Sequence, residues 1–201
     1  MSQDLPVTAY AILGLLTFGD ELTGYEIKQR ADMTLRFYWV SPATSQIYTE
    51  LRRLADHGLV RADARPDGGR EVTTYAITDA GQEALRAWMD ETPAGFPVLK
   101  HPVLLRLRVG HASEPARTRQ MLHDYLAELD QALADLGEVR EALRGADHEG
   151  QPFRFPALVA DWGLDYFAAE AVHTHRALAS LADPTAQAPT AQAPSAQAPT
   201  A

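Results

Sequence analysis

The chain has 201 residues, 46% of them hydrophobic, enough to bury one large core or two small ones. It has no cysteine, which excludes disulfide staples, thiolate metal sites and a cysteine nucleophile and suits a reducing cytoplasm. The formal charge of −9 is spread evenly, with 9 Lys/Arg against 14 Asp/Glu in residues 1–92 and 9 against 13 beyond, which excludes a basic half that binds polyanions by bulk charge.

The first predicted element is a helix over Val7–Leu16, in the apolar run VTAYAILGLL. The run is too short to span a bilayer. Asp4 rather than a basic segment precedes it, and no small-residue cleavage site follows, so it reads as a core helix. Thr23-Gly-Tyr-Glu26 has the capping-box form and predicts a second helix running towards Thr34.

The stretch SPATSQIYTELRRLADHGLV, Ser41 to Val60, predicts a third helix, with Ser41 as N-cap, Pro42 at the first helical position and Gly58 as the left-handed stop. Ile47, Leu51 and Leu54 fall on one apolar stripe, and Ser45, Tyr48, Thr49 and Arg52 project from the other side. Leu59–Ala64 and Val72–Ile77 then read as two strands flanking Arg65-Pro-Asp-Gly-Gly-Arg70, a hairpin signal. Thr78 or Asp79 caps a fourth helix through Ala84, Leu85 and Trp88.

Thr92-Pro-Ala-Gly-Phe-Pro97 is a joint, because two prolines and a glycine break any helix there. Beyond it, Leu122, Leu129, Leu136 and Leu143 recur every seven residues with Leu126 and Leu133 interleaved, and Arg140 interrupts the pattern. Such a seam needs a partner helix. The last predicted helix, Phe155–Leu181, offers Leu158, Trp162, Tyr166, Ala169 and Val172 as a stripe for intrachain packing, for dimerisation, or for both. From Pro184 an Ala-Gln-Ala-Pro-Thr/Ser repeat has no large apolar side chain, and it is expected to be disordered.

No catalytic constellation stands out: there is no glycine-rich phosphate loop, no Gly-x-Ser-x-Gly elbow and no His-Glu-x-x-His. His173 and His175, two apart on a helix, point to different sides and make no metal pair. The expectation is therefore no enzyme, no metal and no cofactor.

The order of three helices, a wing and a helix is the layout of a winged helix-turn-helix, whose third helix enters the major groove while the wing lies along the adjacent backbone or minor groove. On that layout the DNA-facing residues are Ser41, Thr44, Ser45, Gln46, Tyr48, Thr49 and Arg52, with Arg65 and Arg70 from the wing. Each taken singly is also what an ordinary solvated surface carries. Together they favour DNA contact.

Three stretches, AYAILGLL followed by LTGYEIKQR, then SQIYTELRRLADHGLV, then GGREVTTYAITDAGQEAL, resemble the PadR family of bacterial transcriptional regulators. In the second half, LLRLRVG, the leucine-seamed helix and DWGLDYFAAEAVHTHRALASL are similar to the helical C-terminal domain of the longer subgroup shared with virulence-gene activators. In that subgroup a tryptophan is common near the position of His173.

The resemblance implies a mainly α fold with a small β-hairpin wing. Residues 1–92 form the winged helix-turn-helix, 93–183 a helical dimerisation domain, and 184–201 a tail. It further implies a cytoplasmic homodimer that binds double-stranded DNA at a pseudo-palindromic operator, usually as a repressor, sometimes released by a small effector, with no membrane partner. The family's DNA-contacting tyrosine falls on Tyr48, its neighbouring glutamine on Gln46, its helix-start serine on Ser41 and its wing cation on Arg70. For an aromatic-lined effector pocket, Trp88, Phe96, Trp162 and Tyr166 are the available aromatics, core packing being the commoner role of such residues. The rival classes are a winged-helix protein-interaction module without an operator, and a small-molecule-binding or catalytic helical protein.

Overall fold

The structure is a computed structural model that describes residues 5–67 and 70–182, without the side chains of Asp67, Arg70 and Ala182. The repeat tail from Pro184 and the wing tip Gly68-Gly69 lie outside the described residues. Two compact units divide the chain: Met1–Leu99 with Ala134–Leu164, and Lys100–Leu133 with Asp165–Ala201.

In the first unit, helix α1 (Val7–Leu15) is apolar nearly all round and buries Ala9, Tyr10, Ile12, Leu13 and Leu15. A two-residue strand β1 (Leu22–Thr23) leads into α2 (Gly24–Thr34). The predicted capping box is formed there, the Glu26 amide donating to Thr23 Oγ1 at 3.2 Å and the Thr23 amide to Glu26 Oε2 at 2.7 Å. The same bonds hold the Glu26 carboxylate below its usual range. A 3₁₀ turn (Leu35–Phe37) leads towards α3 (Thr44–Asp56).

Helix α3 begins three residues later than the sequence predicts. Its N-cap is Ala43, which has no capping side chain. Ser41 is not the cap, because its hydroxyl is engaged by α2: it donates to Asp32 Oδ1 at 2.6 Å and accepts from Lys28 Nζ at 3.2 Å. The far end is as predicted. Gly58 takes φ 68°, and the amides of Gly58 and Leu59 return to the carbonyls of Ala55 and Leu54 at 2.9 and 2.8 Å, a Schellman closure over two buried leucines.

The wing strands are longer than predicted, β2 (Val60–Asp67) pairing antiparallel with β3 (Arg70–Ile77), so Arg65 and Arg70 lie in strands rather than in the loop. Strand β1 adds to β3 in the register Leu22↔Tyr75, giving a three-stranded sheet of order β1-β3-β2 instead of a bare hairpin. Two residues before a capping box carry too little pattern to read as a strand. Helix α4 (Asp79–Glu91) is capped by Thr78, which accepts from the Gly81 amide.

The core of this unit joins Ile12, Leu13 and Leu16 to Ile27 of α2 and to Ile47, Leu51 and Leu54 of α3. Trp88 of α4 stacks on Tyr10 with ring centroids 4.8 Å apart. Trp88 is thus a packing residue.

Helix α5 (Pro102–Arg108) is capped by His101, whose Nδ1 accepts from the Leu104 amide at 3.2 Å. Helices α6 (Pro115–Ala142) and α7 (Arg154–Ala182) follow, each contributing one stretch to each unit. The leucine seam on α6 is present: Leu122, Leu129 and Leu136 are buried and Leu126 and Leu133 half-buried, while Leu143 falls one residue past the helix end. At the interruption, Arg140 pairs with Asp147 at 2.9 Å and Asp161 at 2.7 Å.

On α7 the packing face is not the predicted stripe. Ala157, Ala160 and Thr174 are buried, and a Cβ at Gly163 would meet Leu136 Cδ2 at 2.7 Å. Small residues let α6 come close, so Leu158, Trp162, Tyr166, Ala169 and Val172 turn to the opposite, exposed side. Among the described residues no helix is long and apolar enough to cross a membrane.

Candidate nucleic-acid interface

Helix α3 divides into two chemistries. Ile47, Glu50, Leu51 and Leu54 are buried, and Thr44, Ser45, Gln46, Tyr48, Thr49 and Arg52 are all exposed. The outward face holds no carboxylate from Thr44 to Arg52, because Glu50 is turned inward at 6% exposure. Arg53 Nε lies 3.6 Å from its Oε2, which has no hydrogen-bond donor among the described residues. The Thr49 hydroxyl donates to the Ser45 carbonyl at 2.9 Å and keeps its lone pairs outward.

Arg52 is exposed and has no ion-pair partner among the described residues, so its guanidinium is available to an incoming anion. Tyr75 of β3 sits beside it. Burial raises the Tyr75 hydroxyl above its usual range, with the Tyr48 hydroxyl adding to the shift and Arg52 opposing it, so strand and helix contribute to one surface.

Tyr48 lies flat against the start of α2. A Cβ at Gly24 would sit 2.5 Å from Tyr48 Cε1 and 2.7 Å from Cζ, so only glycine lets the ring take this place. Gly24→Ala is expected to force the tyrosine off its rotamer at a cost of about 1 kcal/mol, reducing DNA affinity about fivefold with little change in melting temperature. Titration of a labelled DNA site beside a thermal melt checks it.

The remaining predicted residues are placed less freely. Ser41 is half-buried and held by Asp32, whose carboxylate the Lys28 ammonium and then the Ser41 hydroxyl keep below the usual range. Arg65 pairs with Glu21 at 2.8 Å, and Glu21 also takes Arg61 at 2.6 Å. Arg70 opens β3, and its side chain lies outside the described residues. Of the aromatics, Phe96 and Trp162 are exposed at 95% and 78% and Tyr166 at 42%, while Trp88 is in the first core. His173 and His175 are both exposed, flanking buried Thr174.

Gly24, Lys28 and Tyr75 are the surface residues that sequence reasoning missed. Lys28 and Tyr75 belong to elements assigned to support, and the one signal for Gly24 was its place inside the capping box.

Comparison with known proteins agrees with this geometry. Residues 12–87 match the transcriptional regulator PadR-like family, and residues 99–182 match the virulence activator alpha C-terminal family. The chain is 31% identical over 151 residues to the negative transcriptional regulator PadR of Bacillus subtilis, covering 75% of this chain and 81% of that protein. The crystal structure of Bacillus subtilis PadR in complex with operator DNA superposes with TM-score 0.76 at 27% identity, over 88% of this chain and 99% of that one. The complex of the same protein with p-coumaric acid gives TM-score 0.70 at 26% identity, over 89% and 100%.

Proposed function

Because the chain belongs to the PadR-like family of transcriptional regulators, we propose that it is a dimeric repressor that grips operator DNA with α3 and the wing. The observation that carries this is the outward face of α3, free of carboxylates from Thr44 to Arg52 in a chain of net charge −9. Gln46, Ser45 and Thr49 read base edges or grip phosphate, Tyr48 and Arg52 reach further, and Ser41 and Thr44 lie at the helix start, where the dipole favours a phosphate. Arg65 and Arg70 meet the adjacent backbone. The acidic body confines attraction to this footprint, so binding rests on few cations.

Residues 1–92 serve as the DNA-binding module and 93–183 as the dimerisation module, in keeping with the spans of the two family matches. The partner is a second copy, docked on the exposed apolar side of α7, which places two α3 helices in successive major grooves. The protein works in the cytoplasm and performs no catalysis. Since Bacillus subtilis PadR forms a complex with p-coumaric acid, a small aromatic carboxylate is the effector class assigned to this chain, acting by release from the operator.

Footprinting on the gene's own upstream DNA tests the reading, and a protein-interaction module would give no sequence-dependent protection. Within that assay Arg52→Ala should weaken all sites and reduce the slope of log affinity against log salt by about one unit. Glu21→Gln, which frees Arg65, should move affinity and slope the other way. Gln46→Ala should relax sequence preference; equal weakening of every site would make Gln46 a positioning contact only.

A further inference from the structure

In the second unit a cleft of about 280 Å³ opens where α5 ends, a 3₁₀ turn (Gly110–Ala112) reverses the chain and α6 begins. Val109 and Met121 supply apolar wall, and Arg106, Ser113, Arg117 and Thr118 supply the polar groups. Three features make this more than a surface dent.

The first is charge. Most cations of the first unit are tied to carboxylates, as in Arg30–Asp20, Arg61–Glu21 and Arg140–Asp161, whereas Arg106 and Arg117 have no ion-pair partner among the described residues. Glu114 is the neighbouring carboxylate, and it does not line the cleft.

The second is a buried hydroxyl. Thr118 is 8% exposed, and its side chain has no hydrogen-bond partner among the described residues. Other helical threonines bond back one turn, Thr34 to the Arg30 carbonyl at 2.7 Å and Thr174 to that of Glu170 at 2.8 Å. An unmade bond at so buried a group is costly unless something in the cleft completes it. The third is that Ser113, Arg117 and Thr118 stand at the N-terminus of the 28-residue α6, whose dipole adds partial positive charge.

Two guanidiniums, two hydroxyls and a helix N-terminus against an apolar wall match an amphipathic anion. We infer that this cleft binds a small organic carboxylate, its head group held by Arg106, Arg117 and Thr118 and its apolar body laid on Val109 and Met121. The choice of ligand class rests on the effector reading above, and the cleft is the place where that effector acts.

The test is calorimetric titration of the full chain with p-coumarate and with its neutral amide, in wild type and in the exposed-site variants Arg106→Met and Arg117→Met. The expected result is carboxylate binding, at least about tenfold weaker binding of the amide, and a loss of about tenfold in each variant. Equal binding of acid and amide, unchanged binding in both variants, or no carboxylate binding at millimolar concentration would overturn the assignment. A parallel gel shift separates it from the effector reading. Release of operator from wild type and both variants alike would overturn the cleft and leave an effector; arginine-dependent binding without release would keep the cleft and remove the effector role.

Discussion

Leu51→Ala is expected to destabilise the protein by about 2–5 kcal/mol, enough to lower the melting temperature by roughly 10 °C or more. Leu51 is fully buried at the middle of α3, in one cluster with Ile12 and Leu13 of α1, Ile27 of α2, and Ile47 and Leu54 of its own helix. Truncation removes the transfer free energy of the lost methyl groups and leaves a cavity among helices that cannot close it without moving α3. DNA binding should fall with folding, because the exposed face is positioned only by the buried one. Urea titration at fixed temperature measures the cost. Arg52→Ala, one residue along and fully outward, is the control: it should leave the unfolding midpoint within about 0.5 kcal/mol of wild type while weakening DNA binding. Coincident losses in both variants would mean that the two faces of α3 are not separable as described.

Trp162→Asp is expected to dissociate the dimer. Trp162 is 78% exposed, with Leu158 and Tyr166 one turn to either side, on the face of α7 turned away from the small-residue seam. A buried tryptophan at the centre of an interface commonly contributes 2 kcal/mol or more, and an aspartate there would lose that and leave an unpaired charge. Light scattering should show a monomer at concentrations where wild type is a dimer, and operator affinity should fall by about two orders of magnitude, since the second half-site is no longer tethered to the first. A dimer that persists would move the interface elsewhere. Retained secondary structure by circular dichroism shows that the variant is folded, because this side chain fills no described cavity.

Local signals carried far in this chain. The capping box at Thr23 and Glu26, the glycine stop at Gly58, the Pro-Asp-Gly-Gly wing signal and the heptad leucines of α6 each depend on neighbours within a few residues, and all produced the elements they predict. The two faces of α3 were legible for the same reason: residues spaced three and four apart share a side whatever lies beyond. The misread features depend on partners far along the chain. Ser41 has the residue type of an N-cap, but Asp32 and Lys28 of the preceding helix take its hydroxyl, so α3 starts at Thr44. Arg65 was a free wing cation on sequence grounds, until Glu21, forty-four residues earlier, was found beside it. The strand at Leu22-Thr23 exists only because β3 offers it an edge.

By itself, then, the sequence determined the element order, the winged layout and which face of α3 is polar, because those follow from periodicity and chain-local hydrogen bonding. Only the tertiary structure decided which side of α7 is covered, since its bulky and small stripes are both apolar and hydrophobicity does not choose between them. What chooses is how closely α6 can approach: Gly163 and the alanines admit Leu136, and Trp162 does not.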